Sequence, residues 1–391
     1  MGRTFGWLWA AYAVSAYGTG LGFGAFSVVA VQVLGAGPAQ VAALSAAGLA
    51  IGAALAVPLG PWVEVHAKRR VMIATDLVRF AAMASVPVAH WLGVLSFTQL
   101  LGVAVATGTA KIAFTAASGA YLRGVVPTAK LRIATSRFEA TTWSATIIGP
   151  PLGGAAIGLL GPVVTVLADA MSYLLSALGL TAIRDTGPRA RPTRQRRWSD
   201  VAEGWRHLLA HPVLRPLLVN TVLVNGLIMA TEPLLSVLML AHLGFSPWQY
   251  GLAFAVPCAG GLIGARIARQ VGTWTGLRVF GTLRVCWPLG LVLVQPGTAG
   301  LVTVVVVEAG LIGCSAVFAP VAAAYRLEHI DAGVRARALI AWSVTTTAGT
   351  AVITLLWGLL AQLTGPRAAI AVAGVLLLAT PALLPRRDQG A

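Results

Sequence analysis

Twelve runs of about twenty apolar residues divide this sequence, the length a helix needs to cross a bilayer. They lie near Trp7–Val33, Val41–Trp62, Val71–Leu92, Phe97–Leu122, Thr142–Leu160, Val163–Ile183, Leu214–Leu240, Gly251–Ala268, Leu277–Val294, Leu301–Ala324, Leu339–Leu360 and Ala368–Leu384. The runs are rich in Gly, Ala, Leu and Val, without the period-two alternation of a barrel strand. A helix satisfies every backbone polar group within its own segment, so helices are the expected form. Composition points the same way. Of 391 residues, 57% are hydrophobic and 10% charged, against roughly 25% charged in soluble domains. There are too few polar residues to coat a soluble core of this size, so lipid is the expected solvent for most of the surface.

The first run is too long for a signal-peptide core and has only Arg3 before it, so it is expected to remain as a true span. Cys258, Cys286 and Cys314 each fall inside an apolar run. They read as packed thiols, without metal-ligand spacing or a disulfide framework.

The formal net charge is +16, and its placement matters more than its size. Lys68, Arg69 and Arg70 lie between the second and third runs. Arg123, Lys130, Arg132 and Arg137 lie between the fourth and fifth, and eight arginines from Arg184 to Arg215 between the sixth and seventh. Arg269 follows the eighth run, Arg326, Arg335 and Arg337 the tenth, and Arg386 and Arg387 the last. Arg367 is the one exception among the alternate loops. Basic residues on every second loop are the positive-inside pattern, which predicts an even number of spans with both termini cytoplasmic. The basic loops then meet the anionic inner leaflet. Nucleic acid is not expected as a partner, since no fold for it remains once the spans are set aside.

The one long polar stretch, Arg184–Pro212, opens with Pro, Gly and Arg like a linker. From Trp198 it reads as an amphipathic helix, capped by Ser199, with Trp205, Leu208 and Leu209 on one face. That helix is expected on the inner membrane surface or as a solvated linker. It divides the chain into residues 1–183, a linker 184–212, and residues 213–391, with six spans in each half. The halves echo each other. Tyr121 and Tyr325 end the fourth span of their halves, Gly161-Pro162 and Gly365-Pro366 fill the turn between the fifth and sixth, and GLAIGA (Gly48–Ala53) resembles GGLIGA (Gly260–Ala265). Parallel repeats of this kind are a transporter design.

Two motifs carry a resemblance. Gly60, Glu64, Lys68, Arg69 and Arg70 have a glycine, an acid four residues on and then a basic cluster, followed by Asp76-x-x-Arg79. In the fifth span, Gly149-Pro150-Pro151-Leu152-Gly153-Gly154 has the form GPxxGG. With twelve spans and a basic central loop, the chain resembles the major facilitator superfamily, and within it the branch of enterobactin exporters and macrolide efflux pumps. Ala168–Tyr173 and Asp200–Arg215 are similar to further segments of that branch. The sequence departs from it at Glu64, where Asp is usual, at Val65, at Ala145, and at Thr19, where an acid is common.

The resemblance implies an all-α membrane protein of twelve transmembrane helices in two pseudo-symmetric six-helix bundles, the major facilitator fold. It also implies proton-coupled export of an amphipathic small molecule, such as a drug, antibiotic or siderophore-like metabolite, from the inner membrane. GPxxGG, with Gly149, Pro150, Gly153 and Gly154, is the antiporter signature. It is also what close helix packing and a proline kink would require. A proton-coupled importer shares the fold, and a non-transporting receptor is the alternative from another class. An enzyme is not expected: neither HExxH nor a nucleotide-binding GxxxxGK[ST] occurs. No cofactor or metal is expected, and the expected partners are the substrate, protons and membrane lipids, with the chain acting as a monomer.

Ionisable side chains inside a bilayer cost at least about 2.5–3.5 kcal/mol each and so mark sites. Asp76 and Arg79 share a helix face and are expected to pair with each other and with the Lys68–Arg70 cluster as a structural latch. Lys111, halfway along the fourth span, is either the partner of a buried acid, the preferred reading, or a contact for an anionic or carbonyl-rich substrate. Glu232 precedes Pro233, which should kink the seventh span. A carboxylate whose solvation and distance from a cation change with conformation loads and releases a proton. The order of expected proton carriers is Glu232, Asp169, Glu308; for each, a static buried acid is the competing reading. Trp143 and Trp342 read chiefly as interface anchors, with substrate contact as the other possibility. Glu64 is expected to approach the start of the eleventh span near Arg337, where a helix dipole stabilises a carboxylate by about 0.3–1 kcal/mol.

Overall fold

The computed structural model describes residues 2–22, 24–55, 66–183, 198–331 and 333–385. Among the described residues twelve helices are long and apolar enough to cross a membrane: spans 1 to 6 are Arg3–Val33, Pro38–Leu55, Lys68–Trp91, Phe97–Val125, Ile133–Leu160 and Pro162–Thr181. Spans 7 to 12 are Leu214–His242, Pro247–Ala268, Thr275–Leu293, Gly297–Glu328, Arg337–Thr364 and Pro366–Leu383. No strand occurs among the described residues.

Several helices outrun the apolar stretches that announced them. Span 4 winds to Val125 and the helix of span 5 already begins at Thr128, so Lys130, Arg132 and Arg137 lie on a helix instead of in a loop. Arg335 and Arg337 likewise open the helix of span 11. Hydropathy marks where lipid ends, not where the backbone stops winding, and Lys and Arg are good helix formers.

The internal echo is visible in backbone geometry. Gly161 (φ 82, ψ 162) and Gly365 (φ 88, ψ 153) take the same conformation, open to glycine alone, and each leads into a helix with proline in its first turn. Spans 1 and 7 both finish in a π-helical turn, Val29–Val33 and Leu238–His242. The GLAIGA echo stops at the sequence. A Cβ at Gly260 would strike the Ala309 carbonyl and one at Gly264 the Gly313 carbonyl, whereas one at Gly48 meets nothing within 4 Å.

Two compact units result, Met1–Leu34 with Ala54–Arg196, and Gly35–Ala53 with Arg197–Ala391. The first is cored by Phe5, Leu8, Met72, Phe114, Tyr121 and Leu180 from spans 1, 3, 4 and 6. In the second, Val224, Leu227, Val285, Ala373 and Leu377 join spans 7, 9 and 12. Span 2 packs with this second unit, where Gly358 of span 11 leaves room for Pro38, Ala39 and Ala42.

The linker helix, Trp198–Ala210, is docked on span 11. The Trp205 indole donates to Thr345 Oγ1 at 2.7 Å, and Glu203 pairs with Arg337. Gly204 lies against the backbone of Arg337 and Ala338, an approach that any Cβ would block. Leu208 is fully buried and Leu209 is 54% exposed, so the expected common face is divided.

Candidate functional site

A polar cluster runs through the interior of the first unit, built by spans 1, 3 and 6. Small residues make it possible. Span 1 leaves its α-helical path at Gly22, and a Cβ there would lie 2.6 Å from Asp169 Oδ2. A Cβ at Gly18 would collide with Ser172. The missing side chains of span 1 thus let the polar face of span 6 come against it.

Arg79 is the centre of the cluster and only 4% exposed. Its Nη1 donates to Ser15 Oγ at 3.1 Å and meets Asp76 Oδ1 at 3.4 Å, while Nη2 donates to Thr19 Oγ1 at 3.2 Å. The guanidinium lies 3.7 Å from the centroid of the Tyr173 ring, a cation–π contact that gains strength away from water. The Tyr173 hydroxyl sits between Thr19 Oγ1 at 2.9 Å and Asp169 Oδ2 at 3.3 Å. Asp76 and Asp169 are both buried, at 0% and 4% exposure. The network therefore carries two carboxylates, one guanidinium, a phenol and hydroxyls in contact. Such groups can exchange partners through small helix shifts, because each has more than one partner within reach.

The sequence paired Asp76 with Arg79, and the structure brings them together. The described hydrogen bonds of the basic cluster run elsewhere. Arg69 instead donates to the carbonyls of Leu180 at 2.9 Å and Thr181 at 2.7 Å, closing the end of span 6. Lys68 donates to the His66 carbonyl at 2.9 Å, and Arg70 is exposed. The unpaired carbonyls of a helix end attract cations, which accounts for Arg69. Gly60 and Glu64 lie outside the described residues. Arg337, the expected partner of Glu64, is paired with Glu203.

Beside the cluster lies a cavity of about 280 Å³. Span 1 lines it with Tyr12, Ser15 and Thr19, span 3 with Arg79, span 4 with Lys111 and Thr115, and span 5 with Thr142, Thr146 and Pro150. Lys111 is exposed, and among the described residues it makes no ion pair. Lys111 faces the cavity and lies within electrostatic reach of Asp169, whose own hydrogen bonds go to Tyr173 and Ser172.

The glycines of GPxxGG bring span 5 onto span 1. A Cβ at Gly20 would lie 2.8 Å from the Ala145 carbonyl oxygen and 3.0 Å from Gly149 Cα. One at Gly153 would strike the Leu21 carbonyl, and Gly154 is buried. Pro150 faces the cavity.

Glu232 and Glu308 belong to the second unit. Both are half-buried, lie within electrostatic reach of each other, and make no ion pair among the described residues. Nearby, Ser236 Oγ and the Tyr250 hydroxyl are 2.7 Å apart. Trp342 is buried beneath Arg326, whose guanidinium is 4.6 Å from its ring, so a substrate contact there is corrected to a packing role. The side chain of Trp143 lies outside the described ones.

Sequence reasoning missed Arg284. It is 5% exposed, stacks on Phe318 at 3.5 Å and donates to Asn220 Oδ1 at 3.1 Å. That bond spans 64 residues, as does the one from Arg79 to Ser15. Span 3 thus sends an arginine to span 1, and span 9 one to span 7, across the same number of residues. A lone arginine inside an apolar run was the available signal.

Residues 8–324 match the profile of the Major Facilitator Superfamily. The multidrug efflux pump Tap of Mycobacterium tuberculosis is 30% identical over 272 residues, which are 62% of each chain. Tap of Mycolicibacterium fortuitum is 28% identical over 216 residues, 53% of this chain and 52% of its own. The matched stretch spans about 62% of the length of the first relative. In structure, the nucleoside transporter NupG superposes with a TM-score of 0.77 at 11% identity, covering 98% of both chains. A bacterial homologue of the iron transporter ferroportin superposes with 0.71 at 18% identity, covering 97% of this chain and 99% of its own. At such identities the likeness concerns the fold.

Proposed function

This chain belongs to the Major Facilitator Superfamily, and on that premise we propose that it is a secondary active transporter exporting an amphipathic small molecule in exchange for protons. The observation that carries the reading is the set of ionisable side chains held within the spans: Asp76, Arg79, Asp169 and Lys111 about one cavity, and Glu232 with Glu308 in the other unit. Each costs energy to keep at membrane depth, and packing alone needs none of them. Export as the direction is supported by the efflux pumps named Tap and by GPxxGG. The basic loops favour an inner-membrane protein with both termini on the cytoplasmic side.

In this reading Glu232, Asp169 and Glu308 are the proton carriers. Glu232 sits where Pro233 interrupts the hydrogen bonding of span 7, which is where a helix bends most easily. The test is everted vesicles with an imposed pH gradient and a panel of lipophilic dyes. The gradient should drive dye accumulation, and Glu232→Gln should uncouple dye movement from the gradient. If no dye responds to the gradient, or if Glu232→Gln, Asp169→Asn and Glu308→Gln all transport like wild type, the proposal fails.

A further inference from the structure

The cavity of the first unit has an unusual balance of charge. Among the described residues two cations, Arg79 and Lys111, line it, and no carboxylate does. The two cations differ. Arg79 has Nη1 and Nη2 engaged by Ser15, Asp76 and Thr19 and its face covered by Tyr173, so its charge is answered within the protein. Lys111 is exposed to the cavity and makes no ion pair among the described residues. An ammonium has three donors and no acceptor, and holding one at membrane depth is costly; Asp169 is within electrostatic reach but spends its hydrogen bonds on Tyr173 and Ser172, leaving the Lys111 donors to the cavity.

The threonine hydroxyls that span 5 contributes are also polarised in one sense. Thr142 Oγ1 donates to the Phe138 carbonyl at 3.0 Å and Thr146 Oγ1 to the Thr142 carbonyl at 2.9 Å. Tyr12 and Thr142 share a 2.7 Å hydrogen bond. With their protons committed to the backbone, Thr142 and Thr146 present oxygen lone pairs to the cavity. The site therefore offers one cation from span 4 and two hydroxyl acceptors from span 5, with Phe114 supplying an apolar surface.

We propose that this cavity recognises an anionic amphiphile: Lys111 Nζ takes the acidic group, and Thr142 and Thr146 accept hydrogen bonds from O–H or N–H donors on the same molecule. The inference rests on the transport reading and narrows its substrate class. A permanently cationic amphiphile would meet Lys111 and Arg79 with like charge and lacks the group that the site is built to hold.

The test is equilibrium binding to the purified full chain in lipid nanodiscs, using three anionic probes (fluorescein, taurodeoxycholate and salicylate) and the cationic dye rhodamine 6G. A charge-assisted contact corresponds to at least about tenfold in affinity. Lys111→Gln should thus lower the ratio of fluorescein to rhodamine 6G affinity by about tenfold or more. Lys111→Arg, which keeps the charge, should preserve most of the ratio. A ratio unchanged in Lys111→Gln, or no saturable binding of any anion to wild type, overturns the proposal. Because the ratio compares two ligands on one preparation, a loss of folded protein does not mimic the effect. Dye movement in pH-energised vesicles separates the two claims. Lys111-dependent anion binding without gradient-driven movement retains the site and removes the transport reading. Gradient-driven rhodamine 6G export with Lys111-independent fluorescein binding does the reverse.

Discussion

Replacing Arg79 by methionine tests whether the buried cluster is held by its charge or only by its shape. Methionine keeps much of the volume and removes the guanidinium. Asp76, at 0% exposure, would lose its ion-pair partner at 3.4 Å. Taking one member from a buried pair costs about 3–5 kcal/mol, because the remaining charge stays buried and unanswered. The lost contact with the Tyr173 ring, now at 3.7 Å, adds about 0.5–2 kcal/mol. Arg284 is an internal comparator, with a ring at 3.5 Å and a side-chain amide at 3.1 Å but, among the described residues, no carboxylate in contact. Arg284→Met should therefore cost less, about 1–3 kcal/mol for the stranded amide oxygen of Asn220. Adding Asp76→Asn to Arg79→Met removes the stranded charge and should recover much of the loss. The assay is thermal unfolding of each purified variant in one detergent, followed by tryptophan fluorescence. The expected order of midpoints is wild type, Arg284→Met, then Arg79→Met, with the double variant above Arg79→Met. If Arg79→Met melts with wild type, or the double variant is no more stable than the single, the electrostatic account is wrong.

Two further outcomes follow from the packing and the basic end. Gly149→Ala places a Cβ 2.5 Å from Gly20 Cα, so it should cost about 1–3 kcal/mol as overpacking and lower the melting midpoint, whereas Gly48→Ala, facing open space, should not. His211 Nδ1 accepts the Val213 and Leu214 amides at 3.2 and 3.4 Å, ahead of span 7. Burial, then the neighbouring His329 and His207, make His211 harder to protonate in the folded chain than in the unfolded one. The unfolded chain takes up that proton near pH 6.5, so stability is present above this value and declines as pH falls through it towards the lower folded value. Melting midpoints between about pH 7.5 and 5.5 should fall less steeply in His211→Asn, which can still accept the amide bonds; an unchanged slope would contradict this.

Much of the architecture was written locally. Twelve apolar runs give twelve spanning helices because lipid leaves the backbone no other way to satisfy its polar groups. The turn glycines of the two halves were recognisable for a similar reason: a positive φ followed by proline is a constraint within a few residues, and Gly161-Pro162 and Gly365-Pro366 meet it identically. The pairing of Asp76 with Arg79 could be read from three-residue spacing on one helix. What spacing could not give was the company those two keep. Arg79 meets Ser15 and Thr19 on span 1 and Tyr173 on span 6 because glycines let the spans close together, and no local pattern states which neighbour a glycine admits. Lys111 shows the same division. Its depth in span 4 was plain from the sequence, but whether it faces an acid or a cavity depends on how the helix is rotated in the bundle. The linker helix was identifiable from its pattern, yet its resting place on span 11 depended on Thr345 and Arg337, more than a hundred residues away. Lipid fixes which segments span; the fit of side chains between helices, a property of pairs distant in the chain, decides what each buried charge meets.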